Sequence, residues 1–298
     1  MLATYRFGNS RDRTLYAPAE IFLGATRDLA TAPASAGGAL VGLITAGESP
    51  LRNWSACLKS GALMLTGLRE NVTLWEISPL QTPQWLAEIG QITPSDPGFS
   101  GPQLKPVRIS SETIVSRQLL VQQADDTLSR ILVNDLSRQL GNFLDQSALF
   151  GAGSASNQPA GLVSTTGVQA LTFTGPDYNT AFATAEEQIE SVNIDMTSFA
   201  ELVSPATKQK LRTTAAFSGG GASVWEKLTR PQSSPEIRDN TVFVGCFSMM
   251  TFCLWGRGVE ILINPYTLAD QNKVKIDATL LCNVGIRYPS AFGFGPLT

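Results

Sequence analysis

The chain has 298 residues, 43% hydrophobic and only 16% charged, which suits one large or two ordinary domains with a sizeable core and excludes a disordered or fibrous chain. Its 22 Lys and Arg against 25 Asp and Glu leave a formal charge of −3, so no basic excess announces a sequence-reading partner for duplex nucleic acid. There is no histidine, which removes the general base of Ser-His-Asp and Cys-His hydrolases and the ligands of most catalytic zinc and iron sites.

Residues 1–50 carry Arg6, Arg11, Arg13 and Arg27 and then TAPASAGGALVG, a small-residue run with little capacity to form a core, and read as an extended arm. In LRNWSACLKSGALMLTGL the positions Trp54, Cys57, Leu58 and Leu63 fall near helical spacing, so one short helix is expected before the Gly61 to Gly67 region. From Glu70 the pattern turns to strands, NVTLWEI and PQWLAEIG, then QITPSDPGFSGPQL, then KPVRISSETI: a long β-hairpin with a proline- and glycine-rich tip. Trp75, Trp85 and Phe99 have few neighbours to bury them in so thin an element. The hairpin is therefore expected to lie on another subunit, the alternative being that it packs on its own domain.

Asp125 and Asp126 supply caps for a helix of about 25 residues, roughly 38 Å long. Its stripe is Leu128, Ile131, Leu132, Leu136, Leu140, Phe143 and Leu144, with Arg130, Asn134, Arg138 and Asn142 opposite. It ends in QSALFGAGSASNQPAG, whose glycines resemble half a phosphate loop. A phosphate fingerprint needs its glycines after a strand and before a helix, and here the order is reversed. Gly151 and Gly153 are read as a helix C-cap with φ above zero, and Ser154–Pro159 as a turn.

Beyond the turn come a strand-like VQALTF, a helix through PDYNTAFATAEEQIESV, a strand SFAELVS and a helix begun by Ser204-Pro205 in SPATKQKLRT, together a compact α/β unit. FSGGGASVWEKLTRPQSSPEIRDN reads as a loop excursion, and the remainder, TVFVGCFSMMTFCLWG, GVEILINP and KVKIDATLLCNVGIRYPSAFGFGPL, as strands.

Cys57, Cys246, Cys253 and Cys282 have no metal-ligand spacing and read as isolated buried thiols. No catalytic, cofactor-binding or metal-binding residues are singled out. There is no run of about 18 apolar residues to span a membrane, and MLATYRFGNSRDR lacks the apolar core of a signal peptide, so synthesis in a cytoplasm is expected.

The ordered series of arm, hairpin, long helix ending SALFGAGSASNQPAGLV, α/β unit with LVSPATKQKLR and strand-rich end finishing GIRYPSAFGFGPL resembles the major capsid proteins of tailed double-stranded DNA phages. Gly151, Gly153, Pro159 and Gly161 match that family's Gly-x-Gly…Pro-x-Gly segment. The resemblance implies the α+β Johnson fold: an N-terminal arm over 1–50, an extended loop over 68–112, a peripheral domain of 51–67, 113–170 and about 255–298 built on the long spine helix, and an axial domain of about 171–254. It implies no enzyme and no cofactor, but a structural protein that self-assembles into hexamers and pentamers of an icosahedral shell. The shell would enclose double-stranded DNA without reading its sequence. Its partners would be many copies of itself, with scaffolding, portal and decoration proteins as further candidates, and its place the virion capsid, assembled in a host bacterial cytoplasm. Arg6, Arg11, Arg13, Trp75, Trp85, Phe99, Lys105 and Arg108 are the expected subunit-interface residues, and Leu128, Leu132, Leu136, Leu140, Phe143, Gly151 and Gly153 the spine helix and its cap. Two other readings stay open: an encapsulin-type compartment shell, and a histidine-free enzyme working through carboxylates or a Ser-Lys pair.

Overall fold

A computed structural model describes residues 14–18, 55–77, 85, 98–118, 127–175, 177–216 and 221–298, with the side chains of 14–18 and 127–132 outside that description. Two five-stranded sheets carry the chain. The first has the order β1 (Thr14–Pro18), β12 (Met250–Asn264), β13 (Lys273–Ile286), β7 (Val107–Ser116), with β2 (Leu63–Leu68) also paired to β12. β13 buries Val274, Ile276, Ala278, Leu280 and Cys282 and turns the residues between them to the other face, the period of two of a half-buried strand. That buried face lies under the spine helix α2 (Thr127–Phe150), where Leu136, Leu140, Leu144 and Ala148 recur every fourth residue and are buried. β12 is long enough to pair with β2 over Thr251–Trp255 and with β1 over Gly258–Leu262, and its register with β13 shifts between Trp255 and Glu260.

The second sheet has the order β10 (Pro231–Ser233), β9 (Phe199–Val203), β11 (Thr241–Cys246), β14 (Phe292–Pro296), β8 (Gln169–Ala170). Every residue of β9 is buried. Helix α3 (Tyr178–Glu190) buries Phe182, Ala185 and Ile189 at helical spacing, and the Phe182 ring sits 4.7 Å from that of Phe173. Helix α4 (Pro205–Thr213) starts as its sequence promises: Ser204 accepts from the Thr207 amide at 3.2 Å and Pro205 occupies the first turn, where its missing N–H costs nothing. One buried core runs continuously from α2 through both sheets to α4.

Several expectations change. Of the helix expected over Trp54 to Leu63 only α1 (Ala56–Lys59) is helical among the described residues. Gly61, at φ +109°, turns the chain, and Leu63 opens β2 instead. Trp54 and the Asp125-Asp126 cap lie outside the described residues, as do most of PQWLAEIG and residues 217–220. The loop excursion contains α5 (Val224–Lys227), opened by a capping box between Ser223 and Glu226, and β10, which pairs parallel to β9.

The sheets part between β11 and β12, at the turn through 247–249, rather than near residue 255. The last strand does not stay with the long helix either, since β14 pairs antiparallel to β11 from Thr241↔Pro296 to Gly245↔Phe292. Alternation showed that these segments were strands, but which sheet a strand joins depends on non-local edge pairing, which periodicity does not encode.

Candidate subunit-interaction surface

The hairpin stem consists of β3 (Val72–Thr73) paired to β6 (Gln103–Leu104) and β4 (Glu76–Ile77) paired to β5 (Phe99–Ser100). Its root is firmly mounted. Leu74 and Leu104 are buried with Cys253 and Trp255 in a small cluster of their own, and the Trp255 indole N–H donates to the Glu70 carbonyl at 2.7 Å. Asn283 Nδ2 donates to the Lys105 carbonyl at 2.6 Å, tying the return strand to β13. Beyond the root the side chains are uncovered: Trp75 is 60% and Phe99 61% exposed, and Trp85 is fully exposed. The root of the hairpin thus packs on its own domain through Leu74, while the neighbouring Trp75 faces solvent. Lys105 and Arg108 are exposed at the same end of β7. Arg6, Arg11 and Arg13 lie outside the described residues.

Along the spine, Leu136 and Leu140 are buried as expected, while the side chains of Leu128 and Leu132 lie outside the described residues. Phe143 departs from the expected stripe. It is 47% exposed and lines an open trough beside β7, because the buried arc of α2 runs through 136, 140, 144 and 148 and leaves position 143 at its margin. The two signature glycines also differ in purpose. Gly153 has φ +86° and ψ −177°, a region only glycine occupies readily. Gly151 is not in the positive-φ region: a Cβ there would strike the backbone carbonyls of Pro159 and Ser147. The segment doubles back on the helix end, with Gly153 N donating to Pro159 O at 3.2 Å and Gly161 N to Gly151 O at 3.0 Å. The amide of Gly151 is spent on the Ser147 carbonyl in the last turn of α2, and those of Gly153 and Gly161 on carbonyls of the loop itself, which leaves no cradle for a phosphate at these positions.

The sequence reading missed Asp145, a carboxylate buried on the spine helix. It accepts from Ser55 Oγ at 2.8 Å, Ala56 N at 3.0 Å and Cys57 N at 3.4 Å, so it satisfies the orphan amides at the start of α1 from a distant element. Ser137 and Gly141, two turns and one turn earlier on the same side of the helix, are buried only in the folded chain, so no local pattern in the sequence marked Asp145. Glu201, buried on β9, does the same for the loop before β10, accepting from Thr229 N at 3.1 Å and Arg230 N at 2.9 Å.

Burial lifts the Asp145 carboxyl above its ordinary value of 3.8, although the donors from Ser55, Cys57 and Ala56 pull the other way. Burial likewise raises Glu201 above 4.5 against its amide donors, and the charge of Glu186 adds to the rise. A carboxyl higher in the folded than in the unfolded chain contributes stability that is complete below the unfolded value and is lost as pH rises through the folded one. The melting midpoint is therefore expected to rise, through these two groups, as pH falls from neutral toward the ordinary carboxylate range. In D145N/E201Q that slope flattens; an unchanged slope in thermal scans would count against the assignment. Asp145→Ala strands the Ser55 and Ala56 donors and is expected to cost about 2 kcal/mol in urea unfolding, more than Asp145→Asn.

All four thiols are buried and free. Burial pushes Cys246 and Cys253 up to about 11 and Cys282 to about 12, so they stay protonated and serve as small apolar packing groups. Among the described residues no three Cys, Asp or Glu side chains are grouped to hold a metal ion, and no helix is long and apolar enough to cross a membrane.

With this geometry in place, known proteins supply a frame. The model of the phage capsid family matches residues 48–296, and the chain belongs to that family. It is 25% identical over 246 residues to the major capsid protein of Halomonas phage phiHAP-1, a match that covers 81% of this chain and 40% of the relative's length. Among solved structures it is similar to the capsid of an empty GTA particle (TM-score 0.67, 12% identity, 82% of this chain and 90% of that one). It is also similar to a chain from Mycobacterium phage Ogopogo (TM-score 0.62, 14% identity, 82% and 92%) and to one from Mycobacterium phage Adephagia (TM-score 0.62, 14% identity, 89% and 99%). The fold is the Johnson fold of phage capsid proteins, in its α+β form.

Proposed function

We propose that the chain is a major capsid subunit, which self-assembles through hexamers and pentamers into an icosahedral shell around double-stranded DNA. The observation that carries this is the hairpin: a rigidly rooted ribbon that holds Trp75, Trp85 and Phe99 out in solvent, on a chain that belongs to the phage capsid family. A lone subunit gains nothing from that exposure, whereas a shell buries it at every contact. The first sheet with α2 serves as the peripheral domain. The second sheet with α3 and α4, now including β14, serves as the axial domain at capsomer centres. Residues 1–50 serve as an arm and 68–112 as the loop that reaches a neighbour.

On this reading the role is structural rather than catalytic, and the partners are further copies of the chain, with scaffolding, portal and decoration proteins where the particle uses them. DNA is held without sequence reading, and the protein resides in the virion capsid after synthesis in the host bacterial cytoplasm. An encapsulin-type compartment is not favoured, because the similar proteins include the major capsid protein of a Halomonas phage and the capsid of the GTA particle. The test is negative-stain microscopy of the purified full chain, with nuclease digestion of particles from infected cells. Closed particles with nuclease-protected DNA are expected. A small discrete oligomer would remove the shell reading in favour of the enzyme alternative, and DNA-free particles packed with a cargo protein would favour the compartment.

A further inference from the structure

Helix α3 ends against its own electrostatics. Its last turn carries Glu187 and Glu190, with Glu186 just before them, and no Lys or Arg occurs anywhere from Tyr178 to Glu190. The C-terminus of a helix is the negative end of the backbone dipole, so acids there are unfavourable, and two acids three residues apart also repel each other. Glu186 meets Thr229 Oγ1 at 3.3 Å, but Glu187 and Glu190 are exposed and, among the described residues, joined by no salt bridge. Tyr178, Phe182, Ala185 and Ile189 face inward, which sets Glu187 at the centre of the outward face. Thr180, Ala183 and Thr184, above it on that face, are exposed and small, so a second helix can approach closely.

Helix α4 is the complement. It holds Lys208, Lys210 and Arg212 and no acid. Lys208 is half-buried with its ammonium over the Trp225 ring, whereas Lys210 and Arg212 are exposed and in no salt bridge among the described residues. These two stand on either side of the exposed Gln209 and Thr213, so two long cationic arms frame a low polar surface. The subunit's own α4 is badly placed to serve its α3. Lys210 Nζ lies 5.2 Å from the centre of the Tyr178 ring, at the first residue of α3, while Glu187 and Glu190 lie about 14 and 18 Å further along the axis. Two copies of α3 face to face would set acid against acid. A contact of α3 on α4 joins two different surfaces instead, and such a head-to-tail contact is what closes a ring of identical chains.

We propose that the acidic end of α3 docks on the basic face of α4 in a second copy, with Glu187 and Glu190 pairing with Lys210 and Arg212. This rests on the shell reading and specifies one contact within its rings.

The test is a charge swap in the full chain. Glu187→Lys with Glu190→Lys, and separately Lys210→Glu with Arg212→Glu, are each expected to raise the critical concentration for assembly roughly tenfold or more, read by light scattering at about 0.15 M salt. The chain with all four changes restores opposite charges and is expected to assemble within about threefold of the wild type. All four side chains are exposed, and melting midpoints of the dissociated subunits check that the fold is kept. Should a reversal fail to fold, the neutral pairs E187Q/E190Q and K210Q/R212Q carry the test: each is expected to weaken assembly about threefold, and the two together no more than either alone. Reversals that assemble as the wild type, a fourfold swap no better than its halves, or neutral pairs whose losses add overturn the proposal and leave the shell reading standing. A wild-type chain that forms neither rings nor particles overturns both.

Discussion

A chain in which a two-residue turn replaces 78–98 is expected to fold, remain soluble and close no shell. The cut spares every strand of both sheets and the buried root formed by Leu74, Leu104, Cys253 and Trp255. Its melting midpoint should therefore lie within a few degrees of the full chain. What is lost is Trp85 and the rest of the segment between Ile77 and Phe99, while the β4–β5 pair that displays Trp75 and Phe99 is kept. Burying Trp85 is worth about 1.5–3 kcal/mol gross at each contact, from which the ordering of side chains and the loss of subunit freedom subtract. Because each subunit makes the contact, a small deficit per contact multiplies around the particle. Negative-stain particle counts at matched protein concentration decide the matter, and closed shells at the full chain's yield would refute the role given to the hairpin.

Gly161→Ala is expected to be among the most damaging single substitutions in the protein. Gly161 lies in ordinary extended backbone, with φ −80°, so conformation is not what demands glycine there. Space is: an added Cβ would strike the amide nitrogen of Gly151 and come within 2.8 Å of both the Leu149 carbonyl carbon and the Phe150 nitrogen, all backbone atoms of the helix end and the residue that follows it. Backbone cannot swing aside as a side chain can, so either the spine helix unwinds or the turn detaches. The expected cost is about 3 kcal/mol or more, a fall of roughly 5–10 °C in melting midpoint. Gly153→Ala meets no atom within 4 Å but forces alanine into a glycine-only conformation, for about 1–3 kcal/mol. Ser154→Ala, exposed in the same turn, is the silent control. Equal effects at 153 and 161 would show that packing against the helix end does not matter.

Legibility from the sequence varied with the range of the forces involved. The spine helix, the Ser204-Pro205 start of α4 and the strands of the C-terminal third rest on periodicity and capping within a few residues, and they stand where expected. Phe143 was placed in the buried stripe because a three- and four-residue rhythm describes a face, while its margin is set by whatever packs alongside. Asp145 was passed over for a similar reason: its partners, Ser55 to Cys57, are about 90 residues away in the chain. Gly151 and Gly153 were read together as the helix cap and Gly161 only as part of the family's segment, whereas the reason that 151 and 161 must both be glycine, two backbones in contact, is a tertiary fact.

The sequence by itself determined the kind of molecule. The lack of histidine removed most catalytic constellations, the glycines after the long helix ruled out a phosphate loop, and the order of arm, hairpin, spine and α/β unit pointed to the capsid fold. These conclusions rest on composition and on interactions between near neighbours, which a string of residues records directly. Only the tertiary structure decided that β14 returns to the second sheet, that Leu74 and Trp75 differ in burial at the hairpin root, and that Phe143 is left beside an open trough along β7. Each depends on which strand edges and surfaces meet across long stretches of chain, and that choice is made by the packing of the whole molecule.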